Sequence, residues 1–153
     1  MRISTRVAVA LLGATLALSF GAIAKDTLTT NPKGKMVVEF LDMVFNQKKV
    51  KEGFDKYTGP TYRQHNPFAA DGAQPAIDFL APYLASHAEY RYNFKHVYVD
   101  GDIVIVHSHV TRDANDRGSA VVDIFRIETG KVVAHWDVVQ PIPEKSANDN
   151  TMF

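Results

Sequence analysis

The feature that most constrains this chain is a change of hydrophobic period near Tyr90. Before it, apolar residues recur at three- and four-residue steps. Met36, Val37, Phe40, Leu41, Val44 and Phe45 mark an amphipathic helix that starts at Asn31-Pro32 and runs to about Lys48. Val50, Phe54 and Tyr57 mark a shorter second helix ended by Gly59-Pro60. After a short extended segment at 61–66, Asp71-Gly72 opens a third helix with Ile77, Leu80 and Leu84 inward, where Pro82 is expected to kink or split it. From Tyr90 the period is two. Four strands are expected at 90–99, 103–111, 119–127 and 131–139, separated by Asp100-Gly101, a polar loop at 113–118, and Thr129-Gly130. Helices first and an antiparallel meander after them make an α+β fold, with about three helices on one face of a sheet.

The ends are not part of that pattern. Arg2 and Arg6, the apolar run from Val7 to Phe20 and the small-x-small Ala22-Ile23-Ala24 read as a secretory signal peptide, residues 1–24, cut before Lys25. The run is shorter than the roughly 20 residues a spanning helix needs, so no membrane association is expected after cleavage. The domain is expected at 25–143 and a polar, flexible tail at 144–153. Periplasmic or secreted localisation follows from the export segment. Losing Arg2 and Arg6 takes the basic count from 17 to 15 against 17 acidic residues, without a basic cluster, which argues against a nucleic-acid partner. Cysteine is absent, which excludes disulfides and thiolate zinc sites.

Turn positions suggest strand registers, and registers decide which residues share a face. A turn on Asp100-Gly101 sets His96 opposite Ile105, Phe94 opposite His107 and Tyr92 opposite His109. A second turn centred near Asn115 sets His107 opposite Asp123. The third sets Asp123 opposite Trp136 and Phe125 opposite Ala134. One face then collects Tyr92, His96, His107, His109, Asp123, Phe125 and Trp136, an aromatic wall with convergent ionisable groups suited to a small-molecule ligand or substrate. The other face, with Val104, Val106, Ser108, Val110, Ala120, Val122, Ile124 and Val133, is too apolar to be left wet. A homodimer through this outer sheet face is its natural cover.

On such a wall Asp123 is desolvated and suited to act as a general base or as a neutral acid, with His107 and His109 as partners and His96 beyond them. An Asp/His pair of this kind also serves as a buried element that merely fixes register. His107 and His109 at i, i+2 invite a metal reading with Asp123 or His65 as third ligand, but no ligand spacing matches a known pattern, and no metal is assigned. His135 and Asp137 fall on the other face, and His135 and His87 read as structural or surface residues.

Tyr62-Arg-Gln-His65-Asn66-Pro67, Ala70-Asp71-Gly72, His107-Ser-His109, Asp123-Ile-Phe-Arg126 and Gly130-Lys-Val-Val-Ala-His135-Trp136-Asp137-Val-Val-Gln140 occur in this order. Together they resemble the SnoaL-like, polyketide-cyclase branch of the nuclear transport factor 2-like superfamily, and within it the proteins described as predicted aldol-condensation-catalysing enzymes. The resemblance runs from about residue 33 to 143. It implies a cone of three helices against a strongly curved sheet, frequent homodimers, and cofactor-independent lyase or isomerase chemistry through an enolate. In it Asp123 matches the acid/base aspartate and His109 a pocket histidine. Beside these, the residues expected around a substrate are His65, Asn66, Tyr62, Tyr92, His96, Phe125 and Trp136. Asn66 stands where related ketosteroid isomerases carry their general-base aspartate, which argues against that reaction. Such cyclases are ordinarily cytoplasmic, so an export signal points to another substrate or to binding alone, as a periplasmic module.

Overall fold

The computed structural model describes residues 28–153. The expected export segment, 1–24, lies outside the described residues, among which no helix is long and apolar enough to cross a membrane.

Helix α1 spans Pro32–Leu41, with the Asn31 side chain accepting the Lys33 N–H at 2.9 Å and proline in its first turn. The expected continuation to Lys48 takes another form: Asp42–Asn46 is a π-helical turn. Such a turn inserts a residue into the helical repeat and re-aims the side chains after it. Here it delivers Asn46 to the start of a strand, where its amide both donates to the Tyr92 carbonyl (3.0 Å) and accepts the Tyr92 N–H (2.9 Å). Helix α2 is Val50–Tyr57, and helix α3 is Ala73–Ser86. Pro82 sits inside α3 without splitting it. Asp71 does not cap α3; its carboxylate accepts the Gln64 N–H and an Arg63 N–H instead, which ties down the end of the preceding strand.

Strands β1 (Thr58–Gln64), β2 (Arg91–Asp100), β3 (Ile103–Thr111), β4 (Ser119–Glu128) and β5 (Lys131–Pro141) form one sheet in the order β1-β5-β4-β3-β2. The four-strand meander is antiparallel as expected. The extended segment after α2 joins it as a fifth strand, parallel to β5, which makes the sheet mixed. The helices cover one face. Val37, Leu41, Val44, Phe54 and Leu84 meet Val104, Val106, Phe125, Ile127 and Val132 in the main core.

The strand registers differ from expectation at every turn. The β2–β3 turn pairs Asp100 with Ile103, two residues from the expected register, and an irregularity at Lys95 pairs His96 with His107 but Phe94 with Ser108. On β3–β4, Val106 faces Asp123 and His107 faces Val122, a slip of one. On β4–β5, Asp123 faces Asp137 and Phe125 faces His135, again a slip of one. A one-residue slip moves a whole strand's side chains to the other face. On β3 the side chains expected to lie outside therefore join the core: Val104, Val106 and Ser108 are fully buried.

Candidate functional site

The inner face of the sheet and the helices above it enclose a cavity of about 370 Å³, at the small end of ligand pockets. Phe40, Val44, Phe45, Phe54, Ala76 and Leu80 make its apolar wall, while Tyr62, Gln64, Asn66, Tyr92, Asp123, His135 and Asp137 supply its polar atoms. Phe68 and Phe79, both largely exposed, stand at its mouth. Beside it opens a wider groove of about 860 Å³, which shares Phe45, Leu80, Tyr92 and Asp137 with the cavity.

Asp123 is the centre of the polar set. It is 2 % exposed, and its Oδ1 lies 3.0 Å from His135 Nε2. Its Oδ2 is buried and has no hydrogen-bond partner among the described residues. Burial raises the Asp123 pKa above the ordinary carboxylate value, against the opposing pull of His135 and with a smaller push from Asp137. The contrast with Asp116 on the groove rim is direct. There the N–H groups of Arg112 and Gly118 hold the carboxyl down at about 2, so it remains an anion that staples its own loop.

His135 comes from β5 and stacks on Phe125 with centroids 4.8 Å apart. Its Nδ1 lies 3.0 Å from Gln64 Oε1, and that oxygen also accepts the Asn66 N–H at 3.0 Å. Gln64 Nε2 donates to the Tyr62 hydroxyl (3.2 Å), whose pKa burial pushes up. Asn66 donates to both oxygens of Asp137 (2.9 and 2.8 Å) while its own carbonyl oxygen accepts the Phe68 N–H. One ring nitrogen of His135 and one oxygen each of Asp123 and Asp137 lie within 4.8 Å of one another, a donor set whose chemistry would suit a divalent ion.

Several expected site residues are elsewhere. Asp123, Tyr62, Asn66, Tyr92 and Phe125 line the cavity. His107, His109, His96, His65 and Trp136 do not: the one-residue slips keep Asp123 inward but leave His107, His109, His96 and Trp136 on the outer side, and His65, just past the end of β1, stacks on Trp136 there. His107 and His109 are therefore not partners of Asp123. His109 Nε2 donates to the Arg117 carbonyl at 2.8 Å, and His107 packs against His96 and Phe153. The metal site considered on His107 and His109 with Asp123 or His65 fails for the same reason. His65 stacks on Trp136 at 4.4 Å, outside the cavity. In exchange the structure brings in His135, Asp137 and Gln64. The signal for them was in the sequence, since His135 and Asp137 alternate on one strand face, but the assumed register sent that face outward.

A family model described as the SnoaL-like domain matches residues 37–135. No curated protein matches the chain. Among solved structures, a proposed polyketide cyclase of Acidithiobacillus ferrooxidans is similar with TM-score 0.61 and 16 % identity over 72 % of this chain and 90 % of that one. A proposed isomerase of the SnoaL-like family from Agrobacterium tumefaciens gives TM-score 0.59 and 10 % identity over 71 % and 97 %. An NTF2-like protein of unknown function from Cytophaga hutchinsonii gives 0.59 and 13 % over 74 % and 94 %. These likenesses speak for the fold, and the family match covers most of the chain, sheet and helices included: the protein belongs to the SnoaL-like domain family, built on the nuclear transport factor 2-like fold.

Proposed function

We propose that this protein is a cofactor-independent lyase or isomerase that handles an enolate of a small carbonyl compound, with Asp123 as the acid/base. The observation that carries this reading is the buried Asp123 carboxyl, raised in pKa, with its Oδ2 unpartnered, in the wall of a largely apolar cavity. A carboxyl in that setting takes a proton from a carbon acid next to a carbonyl, or returns one, without competition from bulk water. His135 is its proton partner. Tyr62 and Tyr92, both kept in the neutral hydroxyl form by burial, are placed in the wall where an enolate oxygen needs donors.

The test needs no known substrate. Small ketones and β-dicarbonyl compounds are incubated with the purified protein in D₂O, and exchange at the carbon next to the carbonyl is followed by NMR. Exchange by the wild type and its loss in Asp123→Asn are expected. If a compound is held tightly in native mass spectrometry yet no exchange or product appears, the protein is a binding module of the same fold and the catalytic reading is wrong.

Two further proposals concern setting. Export to the periplasm or medium is supported by Arg2, Arg6 and Ala22-Ile23-Ala24, and N-terminal sequencing of the mature protein should begin at Lys25. A homodimer is supported by the outer sheet face, where Ile105, Val122, Ile124 and Trp136 remain partly exposed and Tyr98 and Val138 largely so. Light scattering should give twice the chain mass, and Val138→Glu should halve it.

A further inference from the structure

The Asp123–His135 contact leaves a question of proton count that the surrounding residues answer. A neutral imidazole has one N–H and one lone-pair nitrogen, and the hydrogen bond at one nitrogen sets the state of the other. Gln64 lies opposite His135 in the parallel β1–β5 register, and Asp71 anchors the Gln64 backbone at the strand end. The orientation of the Gln64 amide is decided by its neighbours. The Asn66 backbone N–H can only donate, so the atom it meets at 3.0 Å is the carbonyl oxygen, and the amide nitrogen turns to the Tyr62 hydroxyl. That same oxygen lies 3.0 Å from His135 Nδ1 and has no proton to give. Nδ1 must therefore carry the hydrogen.

Nε2 is then the lone-pair nitrogen, and it faces a carboxylate oxygen at 3.0 Å. Two lone pairs at that distance repel. The contact is a hydrogen bond only when one additional proton sits in it, either as carboxylic acid donating to imidazole or as imidazolium donating to carboxylate. We propose that Gln64 is a positioning residue that commits His135 to the Nδ1–H form, so that Asp123 and His135 together hold one shared proton poised at the cavity. Asn66 acts one step further out, through its N–H on Gln64. Without the lock, the ring would take the Nε2–H form and donate to an ionised Asp123, and the pair would have no proton to deliver. The other titratable groups facing the pair are Tyr62 from β1, Tyr92 from β2 and Asp137 from β5; α1 and α2 bring Phe40 and Phe54. The bearing on turnover rests on the enolate reading above; the proton count does not.

The experiment is long-range ¹H–¹⁵N NMR of the histidine rings in ¹⁵N-labelled full-length protein, followed against pH with no ligand. In the wild type, His135 should show a protonated Nδ1 and an Nε2 signal of a nitrogen in a shared-proton hydrogen bond. Gln64→Leu should move the ring toward the Nε2–H form and lower the pH at which the pair gives up its proton by about one unit, the scale of one hydrogen bond. Gln64→Glu, which still accepts from both Nδ1–H and the Asn66 N–H, should keep the Nδ1–H form and move that pH upward. An Nε2–H tautomer in the wild type would overturn the proposal with no variant needed. So would a Gln64→Leu protein that folds with the tautomer and midpoint unchanged, or one-to-one Zn²⁺ binding that takes the Nε2 lone pair in place of the proton. An intact lock in a protein without exchange activity would instead sink the catalytic reading alone.

Discussion

The two faces of the sheet carry nearly the same residue types and use them differently. On the inner face an aspartate and a histidine meet beneath three helices, with burial deciding their chemistry. On the outer face His96, His107 and His109 stand on neighbouring strands as an apparently richer cluster, yet each is occupied with architecture. His109 holds the Arg117 carbonyl, and His107 is covered by His96 and Phe153, with Lys95 over the same phenyl ring. Burial first, then the neighbouring His96 and Lys95, lower the His107 pKa, so at neutral pH it is an uncharged packing ring. The lesson is that histidine density does not locate a site. Desolvation does, together with a polar atom that the fold leaves unpaired.

The comparison breaks most sharply at Asp123. Asp123→Asn should cost about 10²–10⁴-fold in enolisation rate, the usual span for one acid/base group, with the fold intact in circular dichroism. Because His135 offers a lone pair at Nε2, the new amide can donate to it and that contact is kept. Retained activity would place the chemistry on another residue.

The outer face should answer in stability and leave turnover alone. Gly118 has φ +80°, and a Cβ there would stand 2.3 Å from the Val110 carbonyl oxygen and 2.8 Å from His109 Nε2. Gly118→Ala should therefore cost about 3 kcal/mol in denaturant titration, through backbone strain and the displaced His109 contact. A loss below about 1 kcal/mol would mean the β3–β4 loop is freer than its hydrogen bonds suggest.

A smaller effect distinguishes the faces by pH. The unfolded chain gives up the Asp123 proton near 3.8, while the folded protein keeps it to higher pH. Its folded pKa is raised, so this group favours the fold most below 3.8 and progressively less as pH rises through the folded value. Asp123→Asn removes that decline. Wild type and variant should differ least near pH 4, and the variant should gain steadily on wild type toward pH 8 in thermal melts. The opposite trend would mean the carboxylate is better solvated than its burial implies. The smallest effects belong to the outer rings: about 1 kcal/mol for His109→Ala, one hydrogen bond, and under about 0.5 for His96→Ala, neither changing the exchange rate.

Much of this architecture can be read without coordinates. The three- and four-residue spacing before Tyr90 and the alternation after it determined the order and kind of the elements. The low polarity of β4 around Asp123 marked that carboxyl as the group to watch. Resemblance placed the chain in its family, which the match over residues 37–135 bears out. What the pattern could not determine was phase. Both faces of β3 and β4 are apolar, so neither register leaves a charge stranded, and alternation alone does not choose between them. The π-helical turn at Asp42–Asn46, the irregularity at Lys95 and the extra residue between Val132 and Ala134 on β5 each depend on packing between segments far apart in sequence. The parallel pairing of β1 with β5 is equally non-local, and it alone sets Gln64 against His135. The sequence by itself determined that a buried aspartate would face a pocket. Only the tertiary structure decided which histidine shares its proton, because that choice turns on one-residue registers whose energy lies in contacts across the sheet.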